Sequence, residues 1–125
     1  MNKIILAIVF VLFCSVSLQA QAVQKFPNII NATYTVTGNI YRFDVTISSE
    51  YDSAQRYADA FRILDEDGVV YGIRELAHDH ANEQPFTRSL SGVNIPDPIN
   101  TLIIEGRDQK YGWGGETFLI KLIDN

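Results

Sequence analysis

Apolar and polar residues alternate along most of the chain after its first 22 residues, which is the period typical of β-strands. The clearest case is residues 41–47, where Tyr, Phe, Val and Ile alternate with three polar residues. Residues 32–37 alternate in the same way, and Gly38-Asn39 lies between the two runs. Together they predict a β-hairpin with a two-residue loop.

Similar runs, separated by turn residues, predict five further strands. Asp65-Glu66-Asp67-Gly68 predicts a tight turn. Residues 48–56 break the alternation, and Asp52 or Ser53 is expected to cap a single helical turn there. Seven strands without a long helix predict an all-β fold, a single antiparallel two-sheet sandwich of the immunoglobulin-like type. The five further strands cover residues 57–64, 69–76, 86–93, 99–107 and 117–123.

Two stretches carry a resemblance to known domains. The hairpin FRILDEDGVVYG (61–72) and the late stretch LIIEGRD (102–108) resemble those of bacterial immunoglobulin-like and fibronectin type III-like domains. The stretch HDHANEQPFTRSL (78–90) is similar to a segment of small, uncharacterised secreted bacterial proteins. The resemblance implies a sandwich fold but no activity, because such sandwiches host many functions.

The first 22 residues predict a signal peptide. Lys3 precedes ten consecutive apolar residues at 4–13, and Ala20-Gln21-Ala22 supplies small residues for cleavage after Ala22 or, as second choice, after Ala20. The apolar run is too short to span a bilayer, which needs about 20 residues. Bulky Phe13 before Cys14 argues against lipidation at that cysteine.

Cleavage leaves one domain, residues 23–125, with a periplasmic or secreted location and no membrane span. Loss of Lys3 takes ten basic residues to nine, against fifteen acidic, for a net charge of −6. That balance argues against nucleic-acid or anionic-membrane binding, both of which need a basic surface. A protein or a carbohydrate is the expected partner.

The two histidines form the densest cluster of candidate chemistry. His78 and His80 are two residues apart, so on an extended chain they point to one side, about 6.5–7 Å apart. With Glu83 or Asp79 as a third ligand they predict a site for Zn²⁺, Ni²⁺ or Cu²⁺. One alternative is that both are exposed loop histidines, one of them hydrogen-bonded to a backbone carbonyl. Another is a structured connection in which Glu83 pairs with Arg88.

The glycine-rich segment at 108–116 offers aromatic candidates. Tyr111 and Trp113 are predicted to recognise a sugar or a peptide, with flanking glycines allowing close approach. The alternative places Trp113 over one end of the core. Asp65 and Asp67 match only a fragment of a calcium loop, so a turn is the preferred interpretation there.

The residue patterns therefore favour a non-enzymatic binding module. A divalent-metal-binding protein is the alternative, and a small hydrolase is a weaker one. The chain has no Gly-x-Ser-x-Gly elbow, and nothing in the spacing of Ser89 or Ser91 demands a histidine partner.

Overall fold

A computed structural model describes residues 23–123 of the chain, and the predicted signal peptide at 1–22 lies outside the described residues. This part of the chain folds into seven β-strands and contains no helix of a length and hydropathy that would cross a membrane. The prediction of an all-β, two-sheet antiparallel sandwich of about seven strands is confirmed. The strands are β1 (Asn28–Thr37), β2 (Ile40–Ser48), β3 (Ala58–Leu64), β4 (Val70–Glu75), β5 (Phe86–Asn94), β6 (Thr101–Asp108) and β7 (Gly112–Lys121).

The strands form one sheet in the order β1-β2-β5 and another in the order β4-β3-β6-β7. Three antiparallel hairpins, β1–β2, β3–β4 and β6–β7, stay within a sheet, whereas the other connections cross between the sheets. Gly38-Asn39 forms the predicted two-residue loop, with Gly38 at a φ of 61°, a backbone conformation that favours glycine.

The core lies between the two sheets because each central strand buries alternate side chains. In β2, Phe43, Val45 and Ile47 have no exposed surface, while the polar residues between them point outward. Burial of each such side chain contributes about 1.5–3 kcal/mol to folding. The opposing sheet supplies the matching fully buried side chains Phe61, Ile63, Leu102 and Ile104.

Two local predictions are wrong. Residues 53–56 form a tight turn rather than a helical turn, because Ser53 and Arg56 exchange backbone hydrogen bonds of 2.9 and 3.2 Å. The last strand begins at Gly112, five residues before the predicted Thr117. Glycine carries no side chain to show alternation, so the start of this strand has no visible period in the sequence.

The acidic turn at 65–68 is structural, as preferred. The carboxylate of Asp65 accepts hydrogen bonds from the amides of Asp67 and Val69 and from the hydroxyl of Tyr71 at 2.7 Å. The bond from Tyr71, followed by those from the amides, holds the pKa of Asp65 below its ordinary value. These contacts use the carboxylate to close the β3–β4 hairpin.

Candidate functional site

Both loops singled out in the sequence lie at one end of the sandwich. Strand pairing sets Ala58 opposite Asp108, and Ile47 opposite Phe86, so the loops 49–57, 76–85 and 109–111 leave the sheets on the same side. The chain also enters β1 there, at Asn28. We call this the proximal end of the sandwich.

Asp52, in the loop 49–57, links that loop to the loop 76–85 by hydrogen bonds. Its buried carboxylate accepts the amide of Ala58 through Oδ1 and the amide of His80 through Oδ2, each at 3.0 Å. Gln84 provides a second link between the same loops, since its side-chain oxygen accepts a hydrogen bond from the amide of Ser49 at 2.8 Å. The histidine segment is therefore a hydrogen-bonded part of the structure rather than a free loop.

His80 packs as part of the core, so the expectation that both histidines are exposed is wrong for this residue. It is 6% exposed, and its ring stacks on Phe86 with the centroids 3.9 Å apart. Burial, and secondarily the charge of Arg88, lowers the pKa of His80, which keeps the ring neutral at neutral pH. Its Nδ1 is buried without a hydrogen-bond partner in residues 23–123.

His78 is exposed and adjoins His80. Their ring centroids are 5.0 Å apart, and Nδ1 of His78 lies 2.9 Å from the carbonyl oxygen of Asp79. Glu83 is paired with Arg88: its Oε2 is 3.0 Å from Nη2 of Arg88, which is the predicted ion pair. The hydrogen bond from Arg88 lowers the pKa of Glu83.

The structure thus brings two of the three predicted metal ligands together. Across residues 23–123, no group of three or more His, Cys, Asp or Glu side chains is arranged to hold a metal ion. A site for Zn²⁺, Ni²⁺ or Cu²⁺ stays a prediction, which rests on His78 and His80. Its third ligand would be Asp79, or Glu83 once it leaves Arg88.

A buried carboxylate at the end of β6 organises the other loop. Asp108 is 1% exposed, and its Oδ1 lies 3.1 Å from Nε of Arg56. Its Oδ2 accepts the amides of Lys110 and Tyr111 at 2.9 and 2.8 Å. Burial alone would raise the pKa of Asp108, but the Tyr111 amide, the Tyr51 hydroxyl, the Lys110 amide and Arg56 outweigh it and hold the pKa below its ordinary value.

Tyr111 is the centre of a basic and aromatic surface. The residue is 45% exposed, and its ring meets Phe26 edge-on at 6.3 Å. Three cationic groups surround the ring, at 4.9 Å for Arg56, 5.2 Å for Lys110 and 5.6 Å for Lys25. We call Lys25, Arg56, Lys110 and Tyr111 the Tyr111 cluster.

Sequence reasoning found Tyr111 but missed the cations. They come from three distant segments of an acidic chain, so neither net charge nor any local run reveals them. Arg56 joins these segments, because its Nη2 donates to the carbonyls of Gln24 and Lys25 at 3.1 and 2.6 Å while Nε contacts Asp108.

Trp113 lies apart from this cluster. It pairs with Arg107 across the β6–β7 hairpin, on the outer face of the four-stranded sheet, and does not cap the core. The guanidinium groups of Arg62 and Arg107 lie 4.2 and 5.1 Å from its ring. Tyr111 and Trp113 therefore do not form the single stacking platform that their spacing suggested.

The same outer face carries an apolar row. Val70, Leu64, Ile103 and Leu119 are consecutive partners across β4, β3, β6 and β7. Val70 is 39% exposed and Leu119 is 52% exposed. Apolar side chains aligned on a solvated sheet face are a common feature of contact surfaces.

No protein-family model matches the chain. It is 31% identical over 94 residues to a protein of Halomicrobium mukohataei described as a "Putative lipoprotein", an alignment covering 74% of this chain and 46% of that protein. The chain thus spans about half the length of this relative.

Among solved structures, the chain is similar to a superoxide reductase from Giardia intestinalis. The two share 10% identity at a TM-score of 0.45, over 76% of this chain and 99% of that one. A likeness of this extent carries no argument about chemistry. The chain is an all-β sandwich related in sequence to part of one protein described as a lipoprotein.

Proposed function

We propose that this protein is an extracytoplasmic, non-enzymatic binding module whose contact surface is the Tyr111 cluster. The observation that carries the proposal is a half-exposed ring held among three cations in an otherwise acidic chain. Tyrosine is favoured at contact surfaces because it offers a large apolar area and a polar hydroxyl at little entropic cost.

The extracytoplasmic location has two independent supports. One is the predicted signal peptide, with its ten-residue apolar run and the Ala20-Gln21-Ala22 cleavage motif. The other is the sequence likeness to a protein described as a lipoprotein. The likeness to immunoglobulin-like and fibronectin type III-like domains belongs to the same proposal, since such sandwiches commonly present ligands on the loops at one end.

Binding fits the described residues better than catalysis. Hydrolysis by a histidine-activated serine needs the two side chains within hydrogen-bond reach. Neither His78 nor His80 makes a hydrogen bond to a serine in residues 23–123. Ser89 bonds instead to Asp44 and Arg42 on the outer face of the three-stranded sheet.

The proposal is tested by probing glycan and peptide arrays with the exported protein, produced from the full chain. We expect ligands whose signal falls about tenfold in Tyr111→Ala, since aromatic anchors dominate contact energies. Leu119→Ser is the matched control, because it alters the apolar row and leaves the Tyr111 cluster intact. Array signals that fall in Leu119→Ser but not in Tyr111→Ala would show that ligands bind the apolar row rather than the Tyr111 cluster.

Metal binding is the second candidate, favoured by one observation. Two imidazoles lie 5.0 Å apart, and one of them has a buried Nδ1 without a partner in the described chain. Neutral imidazole nitrogen is a good ligand for Zn²⁺, Ni²⁺ and Cu²⁺.

Calorimetric titration with Zn²⁺ or Cu²⁺ separates this candidate from the first. If the pair binds metal, the wild-type protein releases or absorbs heat that is lost in the His78→Ala/His80→Ala double variant. Glu83→Gln reports whether that carboxylate completes the site. Equal heats from wild type and the double variant would remove the metal hypothesis.

A further inference from the structure

We propose that the Tyr111 cluster binds an acidic polysaccharide, a polymer of carboxylate-bearing sugars such as uronic acids. This inference rests on the proposed function and names its ligand class. The ammonium groups of Lys25 and Lys110, which lie over the Tyr111 ring in the free protein, would turn to carboxylates of the polymer, and the apolar face of a sugar ring would then lie against Tyr111.

The charge balance within the cluster points to an anion. Arg56 is already compensated, because it contacts the buried carboxylate of Asp108. Lys25 and Lys110 are exposed and make no ion pair with any residue in the 23–123 range. Two uncompensated ammonium groups beside one exposed ring match a ligand that is both ring-shaped and negatively charged.

The cluster is also held in place before any ligand arrives. The amides of Lys110 and Tyr111 both donate to Asp108, which fixes the backbone that carries two of its side chains. The backbone of Lys25 is fixed from the other side, since its carbonyl accepts Arg56 at 2.6 Å. A positioned site loses less conformational entropy on binding than a flexible one.

The surroundings favour a polymer chain over a membrane. Glu50 and Glu83 are exposed at the same proximal end, beside the loops that carry the histidine pair. A flat anionic bilayer would bring its charge against those carboxylates as well as against the lysines. A polysaccharide chain touches only a narrow strip and so avoids those carboxylates, although the net charge of −6 after the predicted cleavage repels any polyanion at long range.

Export itself would strengthen the site if cleavage follows Ala22. The new α-ammonium group would be on Val23, which is 76% exposed and within about 7 Å of Lys25 along the chain. An ordinary α-amino group has a pKa of about 7.7–8.0, so it is mainly charged at pH 7. Processing would therefore add a fourth positive group next to the cluster.

The test measures binding of the exported protein to alginate, a uronic-acid polymer, to neutral dextran and to vesicles rich in phosphatidylglycerol. We expect binding to alginate that weakens as salt is added, because the lysines are exposed to screening. Tyr111→Ala should weaken it about tenfold, and Lys110→Gln about fivefold, equivalent to about 1 kcal/mol per lysine. Lys121→Gln, the same charge change at the opposite end of β7, should leave it unchanged.

Each other outcome separates the inference from the proposed function. Tyr111-dependent binding of dextran as tight as that of alginate would overturn the acidic ligand and keep the binding module. Binding to vesicles without binding to alginate would replace the polysaccharide by a membrane surface. Alginate binding that Tyr111→Ala leaves unchanged, with no Tyr111-dependent array ligand, would overturn both proposals.

Discussion

Asp108→Ala is expected to lower the free energy of unfolding by about 3 kcal/mol, because it leaves a charged partner without its counterion inside the protein. The side chain of Asp108 has no exposed surface, whereas that of Arg56 is 21% exposed and can recover part of its solvation. The variant also removes the acceptor for the amides of Lys110 and Tyr111. Urea unfolding of the exported protein measures the loss.

Two variants separate charge from hydrogen bonding at this position. Asp108→Asn keeps an acceptor oxygen for the two amides while losing the charge, so an intermediate loss is expected. Glu83→Ala removes an exposed partner, 57% accessible, from an ion pair with Arg88 and should cost no more than about 1 kcal/mol. Equal losses of unfolding free energy in Asp108→Ala and Glu83→Ala would show that the buried ion pair stabilises the fold no more than the exposed one.

Gly115→Ala is expected to be the other severe change, with a loss of about 2–5 kcal/mol. Gly115 has a φ of 87°, which costs an L-residue about 1–2 kcal/mol. An added Cβ would also overlap the carbonyl oxygen of Pro27 and lie 2.9 Å from Cβ of Phe26, and forced overpacking costs about 1–3 kcal/mol. The segment carrying Lys25 would have to move, so ligand binding at the Tyr111 cluster should fall with stability.

Gly112→Ala is the matched control for that prediction. Gly112 has nearly the same φ, 86°, but an added Cβ there meets nothing within 4 Å. The backbone cost should therefore appear alone, at about 1–2 kcal/mol. The prediction fails if the two variants unfold at the same urea concentration with the same slope.

The strands that could be predicted are those in which apolar residues, which become buried, alternate with polar ones. In β2, each second side chain is apolar, and the structure buries those side chains completely. The turns at 38–39 and 65–68 could also be predicted, because Gly38 and the side chain of Asp65 stabilise them through local interactions. The start of β7 was not, because Gly114 and Gly115 are required by Phe26 and Pro27, which approach them from far away in the chain.

At the candidate site, too, the sequence indicated local features but not the contacts between distant segments. The sequence drew attention to His78 and His80, yet not to the stacking of His80 on Phe86 or to the carboxylate of Asp52 that accepts the His80 amide. It also placed Tyr111 and Trp113 together, yet the ring of Tyr111 lies by Arg56 and that of Trp113 lies by Arg62. Spacing along the chain predicts proximity only while the backbone stays regular.

The sequence by itself determined the fold class, the approximate strands and the acidic balance of the protein, because alternation and composition are properties of local residues. Only the tertiary structure decided that Lys25, Arg56 and Lys110 surround Tyr111, and that both candidate loops share the proximal end. The physical reason is that such a cluster depends on the pairing and register of strands distant in the chain. No local pattern of apolar and polar residues records that register across two sheets.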